Sequence, residues 1–140
     1  MSDIELNVGD VFLAINLSLC GENPHYHIVV LKIENDKILV VHTTKEVDKV
    51  LTRCRLKEKI KFDYIEPDTA VIIDNSASES FTLKSAIDCN KAQLRPISYF
   101  TDKPEYKKCS PITDQVIINN IKRGILKSPI VENVIKKLIQ

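Results

Sequence analysis

Two apolar runs, Ile28-Val29-Val30-Leu31 and Ile38-Leu39-Val40-Val41, stand either side of the polar triplet Glu34-Asn35-Asp36, and few folds accept that arrangement. Each run is rich in β-branched residues, which favour an extended, pleated backbone. Asn and Asp tolerate the left-handed backbone that a tight turn demands. The spacing therefore predicts an antiparallel hairpin pairing Tyr26–Ile33 with Lys37–Thr43, with Val29 and Val40 directed into a core.

The remainder of the first hundred residues repeats the theme on a smaller scale. Val11, Leu13 and Ile15 alternate along Gly9–Leu17, which reads as a strand, and Leu19–Pro24 carries loop chemistry. Val47–Leu56 reads as a strand with helix as the alternative, and further strands are expected over Asp68–Asp74 and Ala92–Phe100, with a polar loop at Asn75–Ser80 and a short strand or turn at Phe81–Lys84. Short strands with nothing helical between them point to a small antiparallel barrel over residues 1–100 rather than a parallel sheet. Two Ser-Pro pairs, Ser110-Pro111 and Ser128-Pro129, resemble helix starts, because serine caps free N–H groups and proline lacks the one it would waste. Two C-terminal helices are expected to follow. Ile117, Ile118, Ile121 and Ile125 would line the first, and Val131, Val134, Ile135 and Leu138 the second. Residues 1–140 form one expected domain, long enough to bury a core.

Several function classes fall away. The apolar runs are far shorter than the ~20 residues of a membrane span, and the acidic start Met-Ser-Asp is unlike a signal peptide, so a cytoplasmic location is expected. Cys20, Cys54, Cys89 and Cys109 form no C-x-x-C pair, and in a reducing compartment they read as free thiols. Only Gly9, Gly21 and Gly124 exist, so no glycine-rich loop cradles a nucleotide phosphate. The net charge of +1 hides an asymmetry: residues 101–140 hold 8 basic against 4 acidic side chains. Such a tail suits an anionic partner or a solvated lysine face formed by Lys122, Arg123, Lys127, Lys136 and Lys137.

The histidines carry the candidate chemistry. His25 and His27 share one face of the first hairpin strand, since side chains two apart on a strand point the same way, and His42 closes the second strand beside Thr43 and Thr44. Three uses are open: general acid/base catalysis, zinc ligation by three imidazoles, or a hydrogen-bonded structural cluster. Arg53 and Arg55 follow soon after and could meet phosphate. Tyr26, Phe62 and Tyr64 could stack on unpaired bases or fill the core.

The order of Gly9-Asp10, the loop to Pro24-His25-Tyr26-His27, the run Ile28–Leu31 and the strand ending in Thr43-Thr44 resembles the PemK/MazF family of toxin ribonucleases. The resemblance covers residues 9–100 and implies an SH3-like barrel, cleavage of single-stranded RNA without metal or cofactor, a cognate antitoxin protein as partner, and a homodimer. Carried onto this chain, it points to His25, His27 and Thr43 as catalytic and to Tyr26, His42, Thr44, Arg53 and Arg55 as RNA contacts. The family places an arginine before the apolar strand, where this chain has His25-Tyr26-His27. That departure keeps a second reading open, a non-enzymatic interaction module binding a protein or a nucleic acid.

Overall fold

The fold is described from a computed structural model for residues 5–16, 23–52 and 69–140. It is predominantly antiparallel β structure, as expected. Seven strands are joined among the described residues: β1 (Val11–Ala14), β2 (His25–Ile33), β3 (Lys37–Thr44), β4 (Ala70–Ile73), β5 (Ser85–Asp88), β6 (Gln93–Pro96) and β7 (Lys107–Cys109). Four α-helical segments accompany them among the described residues: α1 (residues 47–52), α2 (Ser98–Thr101), α3 (Gln115–Lys127) and α4 (Asn133–Ile139).

The hairpin forms as the sequence predicts. β2 and β3 pair from His27↔His42 to Ile33↔Lys37, and both Asn35 (φ 66°) and Asp36 (φ 56°) take up the left-handed conformation of the turn. A bulge between Val29 and Leu31 inserts Val30 into the ladder. The apolar runs are continuous because both faces of the sheet are covered. Ile28, Val30, Leu39 and Val41 face a core shared with Val11, Ile87 and the α3 residues Ile118, Ile121 and Ile125. Val29, Ile38 and Val40 face a second core with Leu6, Phe12, Ala14, Ile97 and Phe100.

β3 organises the sheet. Its first half pairs with β6 and its last residues, Thr43 and Thr44, pair with Ile87 and Ala86 of β5, so one strand belongs to two sheets. Among the described residues the order is open: β4 and β7 end it, and the pairings there do not close it into a barrel.

Gly9 and Asp10 fasten this arrangement. Gly9 has φ +93°, its N–H donates to the Val29 carbonyl and its carbonyl accepts from Ile112 N. A Cβ placed there would lie 2.5 Å from the Ile112 oxygen, so the close approach admits only glycine. The Asp10 carboxylate accepts from Asn7 N at 2.8 Å and pairs with Lys108 at 3.3 Å.

Three expectations need correction. Residues 47–52 are helical rather than extended: Val50 is buried one turn from half-buried Val47, and Lys49 pairs with Glu46 three residues away. The final strand stops at Pro96 and the chain turns into α2, its start pinned by Ile97 N donating to the Asp36 carbonyl at 2.8 Å. The Ser-Pro pairs do not open the helices. Asp114 caps α3 by accepting from Val116 N, while Ser128 is fully buried after α3 and accepts from Ile130 N and Val131 N. Ile118, Ile121 and Ile125 of the α3 stripe are buried as expected and Ile117 is half-buried, whereas Val134 and Leu138 of α4 face outward. No described helix is long and apolar enough to cross a membrane.

Candidate functional site

β2 and β3 bring all three imidazoles together. His27 lies directly opposite His42 in the ladder, and the ring of His42 sits 5.6 Å from His25, nearly perpendicular, and 6.4 Å from His27. Their environments differ sharply. His25 and His42 are half-buried at the end of the sheet, whereas His27 has no exposed surface.

His27 is built into the core. Its ring stacks on Phe12 at 5.1 Å with an interplanar angle of 6° and lies 4.9 Å from Phe100. Its Nδ1 faces the His25 carbonyl at 2.9 Å, and since a carbonyl can only accept, Nδ1 carries the proton. Nε2 is then an acceptor, 3.4 Å from the Asn16 amide nitrogen. Burial, followed by the neighbouring His42, His25 and Lys103 charges, lowers the His27 pKa from 6.5 to about 3, against a smaller upward pull from the His25 carbonyl. At neutral pH it is an uncharged fixture.

A polar network surrounds it. Asn16, itself buried, donates to Gln93 Oε1 at 2.8 Å and accepts from the Tyr99 hydroxyl at 3.2 Å. Two cations attend the Tyr99 ring, Lys103 at 4.4 Å and Arg95 at 5.4 Å from its centroid. Lys103 also donates to the Ile15 carbonyl at 2.5 Å. Two polar atoms on this face are buried without a hydrogen bond among the described residues, His25 Nδ1 and the hydroxyl of Tyr106, whose ring lies 5.5 Å from Phe12. A bare buried nitrogen of this kind calls for an occupant, because leaving it unsatisfied costs about 1–3 kcal/mol.

Thr43 does not join the imidazoles. Successive side chains of a strand point to opposite faces, and Thr43, paired with Ile87, lies buried on the α3 side while His42 faces the Phe100 side. Tyr26 shares the Thr43 face and packs edge-on against Phe81 at 5.5 Å. Thr44 returns to the His42 face, where its hydroxyl accepts from Glu46 N at 3.1 Å. Arg53, Arg55, Phe62, Tyr64, Cys20 and Cys54 lie outside the described residues.

Asn16, Gln93, Arg95, Tyr99 and Lys103 were absent from the sequence-based site. Asn16 was the available signal, a lone amide ending an apolar strand. Among the described residues no group of three or more His, Cys, Asp or Glu side chains is arranged to hold a metal. Cys109 is a half-buried free thiol, and burial pushes its pKa up.

No protein-family model matches the chain, and a search of curated proteins finds no match.

Proposed function

We propose that this chain is a PemK/MazF-like toxin that cleaves single-stranded RNA without a metal, working from the rim formed by His25 and His42. The observation that carries this reading is the pair of half-buried imidazoles 5.6 Å apart, one with a buried ring nitrogen that has no protein partner. Two imidazoles suit the reaction. One removes the proton from the ribose 2′-hydroxyl as its oxygen attacks the adjacent phosphorus, and the other protonates the departing 5′-oxygen. The products are a 2′,3′-cyclic phosphate and a 5′-hydroxyl, with every proton accounted for.

In this assignment His27 holds His25 and Asn16 in place rather than moving protons, because its lowered pKa keeps it neutral. Tyr99, bonded through its hydroxyl to Asn16 beside His27, offers an aromatic ring for a base. The fold reading behind it is an SH3-like barrel in descent, supported by the way β3 crosses between two sheets. A cognate antitoxin, a homodimer and a cytoplasmic location complete the proposal.

A second reading is favoured by one observation. Thr43, the residue most like the family's, faces the core away from the imidazoles, as a non-enzymatic interaction module would tolerate. Incubation of pure protein with mixed-sequence single-stranded RNA and a chelator separates the two. Cleavage leaving cyclic phosphate ends supports the ribonuclease; RNA or protein binding with no cleavage assigns the module.

A further inference from the structure

The hydrogen bonds behind the histidine rim run in one direction, and a single fixed point sets their sense. The His25 carbonyl can only accept, so the His27 proton sits on Nδ1, 2.9 Å away, and Nε2 needs a donor. Of the two ends of the Asn16 amide only the nitrogen can serve, and it lies 3.4 Å from Nε2. That orientation gives a second hydrogen of the same nitrogen to Gln93 Oε1 at 2.8 Å and leaves Asn16 Oδ1 to accept from the Tyr99 hydroxyl at 3.2 Å. One buried side chain, 2% exposed, is thereby held from β6, from α2 and from β2. Its neighbour Ile15 is tied on both backbone groups, the N–H donating to Glu105 Oε1 at 3.4 Å and the carbonyl accepting from Lys103 Nζ at 2.5 Å.

On its far side His27 grips the backbone of His25, the residue whose ring stands 5.6 Å from His42. We infer that Asn16 is a positioning residue for the histidine rim: held by Gln93 and Tyr99, its amide keeps the His27 proton on Nδ1 and so fixes the backbone that carries His25. The catalytic meaning of this assignment rests on the ribonuclease reading, whereas the proton placement does not. An aspartate, close to asparagine in shape, would reverse the bond. A carboxylate only accepts, so Nε2 must then carry a proton, and with Nδ1 still facing the His25 carbonyl the ring becomes a cation. That cation would stand among His25 on β2, His42 on β3 and Lys103 beyond α2, where the wild-type ring is neutral.

Long-range ¹H–¹⁵N spectra of the imidazoles, recorded on the full chain at neutral pH, show which ring nitrogens carry protons and test this without RNA. Wild-type His27 should be protonated on Nδ1 alone. In Asn16→Asp, folded by circular dichroism, Nε2 should gain a proton and the His25 signals should shift. Tyr99→Phe removes one hydroxyl, and should keep the Nδ1 proton while shifting the His27 signals. A wild-type proton on Nε2 overturns the inference, as does Asn16→Asp with the wild-type tautomer or Tyr99→Phe with unmoved His27 signals. Chelator-resistant RNA cleavage adds the catalytic arm, in which Asn16→Asp should lose about tenfold or more in kcat with KM within a few-fold of wild type. Equal kcat in the two proteins also overturns it. A wild type that does not cut refutes the ribonuclease instead, and the imidazole spectra still decide the role of Asn16.

Discussion

His27 is packed as an aromatic core residue, parallel to Phe12 and against Phe100, and its titration follows from that packing. In the unfolded chain the imidazole takes up a proton below pH 6.5, while in the fold it resists doing so until about 3. Between these values the unfolded state binds the extra proton, so stability is intact above pH 6.5 and falls as the solution is acidified toward pH 3. The full drop corresponds to on the order of 5 kcal/mol. His27→Phe should therefore flatten the pH dependence over that window, measured by urea unfolding at several pH values. A variant with the wild-type slope would mean that His27 is not the buried neutral group described here. Gly9 makes a second residue-scale case. Gly9→Ala must adopt a positive φ and meet the Ile112 oxygen, and should lose on the order of 3 kcal/mol in the same assay.

At the scale of elements, the sequence spoke clearly where one pattern decided the outcome. Two continuous β-branched runs around Asn-Asp turn chemistry specified β2 and β3, and the isoleucine spacing specified the buried face of α3. It misled where two local signals competed. Ser128 has a capping side chain followed by proline, yet its hydroxyl satisfies N–H groups in a tight turn instead, and the helix after it starts at Asn133. Residues 47–52 hold β-branched Val47 and Val50, but those two valines are spaced for one helix face. β5 and β7 were not legible, since Ser85–Asp88 and Lys107–Cys109 are too short and polar to show alternation and exist by pairing with longer strands. The capping assignment is measurable: Asp114→Ala should destabilise by about 1 kcal/mol and Ser110→Ala by far less. Ile121→Ala, at a fully buried position, should remove about 2–5 kcal/mol, whereas Val134→Ala should stay within about 0.5 kcal/mol.

Across the whole molecule, the two faces of the sheet have separate tasks. The α3 face holds a helix-covered core with Thr43 buried and Tyr26 packed half-buried against it, and the opposite face carries the imidazoles with the amide and cation network around them. The clustering of histidines was readable from an H-x-H strand beside a strand ending in His42, because strand periodicity governs it. The separation of Thr43 was implicit in the same period, yet the resemblance had joined it to the histidines. The contribution of Tyr99 to the Asn16 network was hidden, because it depends on the chain leaving β6 for α2 at Ile97. The most direct measurement is the rate of chelator-resistant cleavage of single-stranded RNA by wild type and by His25→Ala, His42→Ala and Thr43→Val. Wild type should cleave, each histidine variant should lose about 10²–10⁴ in rate, and Thr43→Val should stay within a few-fold of wild type. Wild-type protein that does not cut, or cutting that survives both histidine changes and disappears with Thr43→Val, would contradict it.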